Sequence, residues 1–373
     1  MSSRELPEDL LTEILSKLAV KCLGRFKCVS KSWHALITNP NFITKHVTWV
    51  NSHNPHRRAI LGHWDWNWGN PRVSTLFNET LELSGDVDLL QLFQHQVGEV
   101  LVIGACNGII CLAATLGKDG KRINGYEQLV LWNPATRESK MLPPIHRPSD
   151  LPGYFSDFGF GYDSKTNDYK VVRILPYNSQ YEVAVYSLGA DSWRVIDSSP
   201  DPSYWIRSSY FPSYVNGVDH WWAIDTGKVS RPFLISFDMS NEVIQKVLLP
   251  PIEASSIEDI TAINDSLALI LRRDDELDTS FDIWVLNESG VERTWTKLLT
   301  IGPIPPFFCD WDLTQLREDC SVVLSDPNVG GFALYDPRTQ EFRNLRINET
   351  GSCSQLISYT ESIVFLNGSG GCA

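Results

Sequence analysis

The chain has 373 residues, a net charge of −13, and 43% hydrophobic and 11% aromatic residues. That length holds one large domain and a small one, and no stretch approaches the length and hydrophobicity of a membrane span. Residues 1–50 hold seven Lys/Arg against four Asp/Glu, a net of +3, so residues 51–373 carry −16. An acidic large domain argues against binding nucleic-acid phosphates and would steer a basic partner towards it. Eight cysteines run from Cys22 to Cys372 without metal-type pairing, so idle reduced thiols are expected rather than disulfides or zinc. The first residues, Met1 to Glu5, do not read as a signal peptide, which predicts a cytoplasmic chain with the nucleus as a second compartment.

The run from Leu6 to Leu18 predicts a helix. Pro7 suits the first helical turn, and Glu8 and Asp9 complement its positive end. Leu10, Leu11, Ile14, Leu15 and Leu18 recur at helical spacing as one apolar stripe. A second short helix with Leu23 and Phe26, and a third with Val29, Trp33, Leu36 and Ile37, complete a three-helix unit. Fifty residues in three short helices bury little alone, so this unit is expected to dock onto something.

The Leu6-Pro7 pair, the leucine spacing and Lys31-Ser32-Trp33 together resemble an F-box, the motif that holds a substrate receptor on the Skp-type adaptor of a cullin–RING ubiquitin ligase. The resemblance implies that Leu6, Pro7, Leu10 and Ile14 are the first-helix contacts to the adaptor, with Leu23, Val29 and Trp33 as later anchors. Ala19 stands where the plant pattern has proline, which should loosen the turn between the first two helices without removing an anchor. The competing reading is that Trp33 and the leucines only form the core of a small helical domain.

Beyond residue 50 no long helical periodicity appears. Short β-rich segments alternate with Gly, Pro, Asn and Asp turns, as in an all-β fold. Five segments share one plan, an aromatic on an apolar strand followed by a turn: Trp132, Tyr186, Phe237, Trp284 and Tyr335, spaced by 54, 51, 47 and 51 residues. A second strand follows each, carrying Met141, Trp193, Val243, Trp295 or Phe342. A period near 50 is that of kelch-type propeller blades. The prediction is a propeller of about six blades, with inner strands in Val100–Cys111, Phe158–Ile174, Tyr214–Ile224, Ile260–Leu271, Asp319–Leu324 and Ser358–Leu366. Ring closure requires the last strand to pair with one from residues 58–83, which would protect both sheet edges.

Gly104 to Cys111, Leu131 to Arg137, Phe158 to Asp163, Asn167 to Val172 and Val185 to Leu188 are, in that order, similar to the F-box-associated domain of plants. The expected organisation is an F-box over 1–50 and an F-box-associated, propeller-like substrate-recognition domain over 51–373. Within that family the chain most resembles the S-locus F-box group, which recognises S-ribonucleases in pollen self-incompatibility. The resemblance implies a substrate-recognition subunit of an SCF ubiquitin ligase, with the adaptor, cullin and RING subunits and a basic S-ribonuclease as partners. Alternatives are a receptor for another protein, such as an immune receptor or metabolic enzyme, and a propeller enzyme or sensor.

No catalytic motif emerges. Gly159 and Gly161 lack the third glycine of a dinucleotide fingerprint and suit a close strand approach or bulge. There is no His-Glu-x-x-His, no P-loop and no Gly-x-Ser-x-Gly elbow. His63, His95, His146 and His220 are isolated, and Asp274, Asp275, Glu276 and Asp278 lack the glycine and spacing of a calcium loop. No cofactor, metal or catalytic residue is expected. Aromatics point to recognition instead. Trp64, Trp66 and Trp68 would share one face of an extended segment, and Trp205 with Arg207 lies between repeats. Packing of the three tryptophans between the first blade and the helical unit is the competing reading, and Trp221 and Trp222 suit strand core.

Overall fold

The computed structural model describes residues 6–53, 57–64, 72–77, 81, 83–93, 97–118, 121–145, 156–177, 179–207, 213–227, 232–251, 257–263, 265–274, 279–289, 292–304, 312–317, 321–325, 332–345 and 353–366. Four helices come first, one more than expected. They are α1 (Glu8–Leu15), α2 (Val20–Phe26), α3 (Lys31–Ile37) and α4 (Pro40–His53). Pro7 stands one residue ahead of α1, and its carbonyl accepts from Leu11 N at 3.0 Å. Ser30 Oγ caps α3 by accepting from Trp33 N at 3.2 Å. The extra helix begins where Asn39-Pro40 reads as a break. Asn39 Oδ1 accepts from Asn41 N at 2.8 Å and Pro40 takes the first helical position, so the pair starts a helix. Helix α4 buries Phe42, His46 and Val50 and runs past the expected boundary at residue 50.

The rest is antiparallel sheet. Strands β1 (Arg57–Trp64), β2 (Arg72–Phe77) and β3 (Leu83–Asp88) open the ring, and a short 3-10 turn covers Leu89–Leu92. Sheet II holds β4 (Val97–Cys106), β5 (Ile109–Lys118), β6 (Lys121–Asn133) and β7 (Glu138–Met141). Sheet III holds β8 (Asp157–Asp163), β9 (Asp168–Tyr177), β10 (Gln180–Ser187) and β11 (Ser192–Ile196). Sheet IV holds β12 (Tyr204–Arg207), β13 (Val218–Asp225), β14 (Pro232–Asp238) and β15 (Val243–Val247). Sheet V holds β16 (Ile257–Ile263), β17 (Ser266–Asp274), β18 (Thr279–Ser289) and β19 (Glu292–Ile304). Sheet VI holds β20 (Asp312–Leu316), β21 (Val322–Ser325), β22 (Phe332–Asp336) and β23 (Glu341–Leu345). The last strand, β24 (Cys353–Thr360), returns to pair with β1 and makes sheet I in the order β24-β1-β2-β3.

The repeated aromatics occupy the third strand of sheets II to VI, and the turns after three of them have a common cause. Asn133, Asp238 and Asp336 each end such a strand and accept, through Oδ1, the N–H two residues on, at 3.0, 2.8 and 2.9 Å, and Asp163 does the same at the end of β8 (2.9 Å). The chain then leaves the turn through a left-handed residue, Arg137, Asn167, Glu242 or Gln340, which releases the next strand. Tyr186 faces Trp193 and Tyr335 faces Phe342 across their hairpins. All five residues expected on the following strands lie there, with Trp295 opposite Leu286, Val243 opposite Asp238 and Met141 opposite Val130. Trp193 and Trp295 also donate Nε1 to the carbonyls of Pro143 (2.9 Å) and Leu248 (2.8 Å), tying each hairpin to the preceding repeat.

Apolar clusters fill the space between successive sheets all the way round. Ile60, Val102 and Trp132 join I to II, Cys111, Phe160 and Tyr186 join II to III, and Val185 and Trp221 join III to IV. Trp222 and Leu269 join IV to V, Ile283 and Tyr335 join V to VI, and Ala59 and Val323 close VI onto I. Gly159 and Gly161 permit one of these approaches. A Cβ on Gly159 would lie 2.4 Å from Asp219 Oδ2, and one on Gly161 would lie 2.1 Å from the Tyr214 ring.

Closure runs through eight residue pairs, from Arg57↔Thr360 to Trp64↔Cys353. The expected inner strand Ser358–Leu366 therefore ends at Thr360, and residues 361–366 leave the sheet. Ile363 enters the core of the helical unit beside Leu15, Val20, Leu23, Ile37 and Phe42, while Val364 and Leu366 join the cluster between sheets II and III. Asn133 Nδ2 donates to the carbonyls of Ser362 (3.0 Å) and Val364 (2.8 Å), and Glu138 Oε2 accepts from Leu366 N (2.9 Å). Lys27 Nζ lies 3.9 Å from the centre of the Phe365 ring. Gly108, at φ 80°, has no room for a Cβ, which would meet Ser362 N at 2.8 Å.

A buried ion cluster joins sheets III and IV. Lys170 Nζ contacts Asp163 Oδ2 (2.7 Å) and Glu242 Oε1 (2.8 Å) and donates to the Met239 carbonyl (2.7 Å). Burial would push Asp163 up, but hydrogen bonds from Lys170, Ser240, Thr166 and the Lys165 N–H outweigh it and hold the carboxyl well below the usual range. A depressed carboxylate contributes stability above its unfolded value, near 3.9, that is lost as pH falls through the folded value.

Two outcomes are expected in thermal unfolding. Asn133→Ala orphans two buried carbonyls and should cost about 1–3 kcal/mol for each, with protease sensitivity appearing first in 361–366. Lys170→Met should cost about 3–5 kcal/mol at pH 7, because buried Asp163 loses its cation while Glu242 keeps Arg194. Its deficit against wild type should shrink as pH falls below about 4, where protonated Asp163 no longer needs the cation.

Candidate functional site

The helical unit divides its apolar residues between two faces. Leu15 and Leu23 are fully buried, and Leu11, Leu18, Phe26, Trp33 and Leu36 pack against that core. Leu6, Leu10 and Ile14 point outward at helical spacing, with Leu10 47% exposed, and Val29 is 62% exposed. Pro7 is exposed beside them. The structure thus brings Leu6, Pro7, Leu10 and Ile14 together as one external strip, with Val29 also external. It corrects Leu23. At 0% exposure this residue belongs to the core of the unit and not to the external strip. Trp33 is half-buried, packed edge-on at 5.3 Å against Phe26, so it serves the core as well as the surface. Periodicity could not separate these roles, because both faces of α1 carry leucine.

The strip is flanked by charge. Glu13 Oε1 contacts Lys17 Nζ (2.8 Å) and Oε2 contacts Lys45 Nζ (2.6 Å), which ties α1 to α4. Hydrogen bonds from Lys17 and then Lys45, with their charges, hold the Glu13 carboxyl down to about 2. Helix α4 carries the unit onto the propeller. Ile43 and Val47 join the cluster between sheets II and III, and Asn51 Nδ2 donates to Asn107 Oδ1 at 3.1 Å. His46, fully buried, donates Nε2 to the Leu18 carbonyl at 3.1 Å.

The second candidate face lies at the other end of the ring. In sheet IV, Trp205 on β12 lies opposite Ile224, and Val215, which shares a cavity with Asn51 of α4, bridges to Val218. Six residue steps along β13, at about 3.3 Å each, separate the two points by roughly 20 Å. Trp205 is 53% exposed and Arg207 is exposed two residues on, so both face outward from β12. Trp64 lies in β1, but its side chain, like Trp66 and Trp68 entirely, lies outside the described residues, as do His95, His146 and Asp275 to Asp278. Trp221 and Trp222 are core.

One grouping was not visible in the sequence. Ser213, Asp219 and His220 meet beneath the surface of sheet IV, all buried. Their geometry does not make a nucleophile. Ser213 Oγ lies within donor reach of Asp219 Oδ1 (3.0 Å) and the His220 carbonyl (2.7 Å), while His220 Nδ1 donates to the Ser213 carbonyl (2.9 Å). The imidazole thus never contacts the hydroxyl it would have to deprotonate. Burial raises Asp219 to about 7 and lowers His220 to about 4. Asp219 instead accepts from Phe160 N (3.0 Å) and His220 N (2.9 Å), a bridge between sheets. Cys106 is pushed up to about 12 by burial, and Cys111 higher still, so neither is a ready thiolate. Among the described residues no group of three His, Cys, Asp or Glu side chains could hold a metal, and no helix is long and apolar enough to cross a membrane.

Comparison with known proteins agrees with this division. Residues 4–45 match the F-box domain and residues 72–366 match the F-box associated beta propeller domain. An F-box/kelch-repeat protein of Arabidopsis thaliana is 27% identical, the match covering 98% of this chain and 97% of that one. F-box protein CPR1 of the same plant is 26% identical, over 96% of this chain and 87% of the other. Among solved structures, a DUF4784 family protein from Bacteroides caccae aligns with a TM-score of 0.42 at 13% identity, over 82% of this chain and 74% of that one.

Leu23→Ala should lower the stability of the helical unit by about 2–5 kcal/mol. Leu10→Ser should change it by less than about 1 kcal/mol, because the side chain is already about half in water and lies outside the core. Urea unfolding followed by hydrogen exchange of the α1–α3 amides distinguishes the two, and equal losses would refute the assignment of faces.

Proposed function

Since this chain belongs to the plant F-box proteins with an F-box associated β-propeller domain, we propose that it is the substrate-recognition subunit of an SCF ubiquitin ligase. The observation that carries the reading is the external strip of Leu6, Pro7, Leu10 and Ile14, with Val29 beside it, which the unit's own core does not use. In this proposal the strip docks on the Skp-type adaptor, with Trp33 supporting it from the core, and residues 51–373 capture a protein substrate. The chain has no catalytic role of its own. It raises the local concentration of substrate lysines at the conjugating enzyme, making transfer effectively intramolecular. Its place of action is the cytoplasm, with the nucleus as a second compartment.

The substrate surface we propose is the end of the ring carrying Trp205 and Arg207, residue types enriched in interface hot spots. The finer substrate, a basic S-ribonuclease in pollen self-incompatibility, is supported by the S-locus resemblance and by the −16 charge of residues 51–373. A receptor for a different protein is the second reading. It is favoured by end-to-end similarity to F-box proteins whose names carry no S-locus term.

Leu10→Asp with Val29→Asp should remove two anchors worth about 1.5–3 kcal/mol each, weakening adaptor binding by on the order of 10²-fold or more. The propeller should stay folded, and undiminished adaptor co-purification would overturn the proposed face. Trp205→Ala with Arg207→Ala should keep the adaptor and lose the substrate in affinity capture from pollen and style extracts under proteasome inhibition. Basic ribonucleases recovered only by the wild-type chain would establish the S-ribonuclease reading, with capture weakening as salt rises. A different partner lost in the same way would keep the receptor role and replace the substrate.

A further inference from the structure

The helical unit does not make its core alone. Leu15, Val20, Leu23, Ile37 and Phe42 close around Ile363, which is 1% exposed, and Ala135 and Phe365 pack against the same cluster. Helices α1, α2 and α3 have eight, seven and seven residues. An isolated helix in water needs about 12–15 residues to be even marginally stable, and a domain of about 50 residues has little core of its own. These helices therefore hold only through what they pack on. On α1 the outward Leu10 and Ile14 each stand one residue before the inward Leu11 and Leu15. The external strip exists only while the inner face of the same helix is held.

Residues 361–366 are held in turn by the propeller. Asn133 Nδ2 donates to the carbonyls of Ser362 and Val364, Glu138 Oε2 accepts from Leu366 N, and the Asn107 carbonyl accepts from Ser362 Oγ. All three partners belong to sheet II or its turns, and Val364 and Leu366 enter the cluster between sheets II and III. The segment follows β24 directly, so the pairing of β24 with β1 delivers it. We propose that residues 361–366 make docking conditional on a closed ring: the helical unit presents its adaptor strip only while this segment is seated on sheet II. The unit comes first in the sequence and its core is completed last. A chain with an open ring then has no ordered strip, and the receptor joins the ligase only after its substrate domain is built. The adaptor part rests on the ligase reading, whereas the dependence of α1–α3 on the segment does not.

Hydrogen exchange of the full chain, with titration against a purified plant Skp-type adaptor, tests this. Ile363→Asp should leave the α1–α3 amides almost unprotected, while amides of sheets IV and V exchange as in wild type. Adaptor binding should weaken at least about tenfold, because only the ordered fraction of the unit can bind. Asn133→Ala, a change on the propeller side, should speed α1–α3 exchange at least about tenfold by loosening the segment. If aspartate opens the whole ring, the milder Ile363→Val is measured instead and should speed α1–α3 exchange about threefold with sheets IV and V unchanged. Wild-type protection of α1–α3 in the Ile363 variants would show that the helical unit stands without the segment and would overturn the proposal. So would undiminished adaptor affinity in an Ile363→Asp chain whose α1–α3 amides are unprotected. A wild-type chain that ignores the adaptor, with α1–α3 protection still lost in the variants, would overturn the ligase reading and uphold the dependence on the segment.

Discussion

Ring closure is the constraint on which the rest depends. A propeller sheet built from consecutive hairpins leaves an unpaired edge at each end of the chain, and here β24 removes both by pairing with β1 over eight residues. The contacts are between residues some 300 positions apart, so ordering the chain between them must be compensated by burial all round the ring. The inter-sheet clusters supply that burial, and they form a complete circle only because β24 is in place.

The same strand determines how the helical unit sits. Six residues beyond closure, the chain has placed Ile363 in one core and Val364 and Leu366 in another. Asn133 holds this segment by its amide while its carbonyl oxygen caps the turn after Trp132. One side chain therefore serves a repeat of the propeller and the joint between the two domains. The joint couples two outward faces, the strip on α1 and the end of β12, through packed structure. For a receptor that presents a substrate by proximity, a fixed relation between those faces limits the volume the substrate explores.

Several groups that invite a chemical reading belong to this packing. Asp219 and Lys170 are charged or titratable groups inside a β-fold, and each bridges neighbouring sheets by hydrogen bonds. Gly159 and Gly161 are on the adjacent strand because Asp219, Trp221 and Tyr214 occupy the space a side chain would need. A Phe-Gly-Phe-Gly run that lacks a nucleotide fingerprint thus has a steric explanation.

Much of this was legible in the sequence. The leucine spacing of α1, the 50-residue recurrence of aromatics, the Asn or Asp that follows most of them, and the demand for closure onto residues 58–83 all follow from local chemistry and period. The fourth helix was not anticipated, because Asn39-Pro40 both ends one helix and starts another, and local sequence does not separate the two. Whether Leu23 faces a partner or a core could not be read, since burial is a property of what packs opposite. Leu23 lies inside because Ile363, 340 residues away, completes the core around it. Local sequence determined the elements and their turns, which depend on neighbours a few residues apart. Tertiary structure alone decided which leucines remain outside and that Trp205 is exposed while Trp221 and Trp222 are buried, because those depend on contacts between residues far apart in the chain.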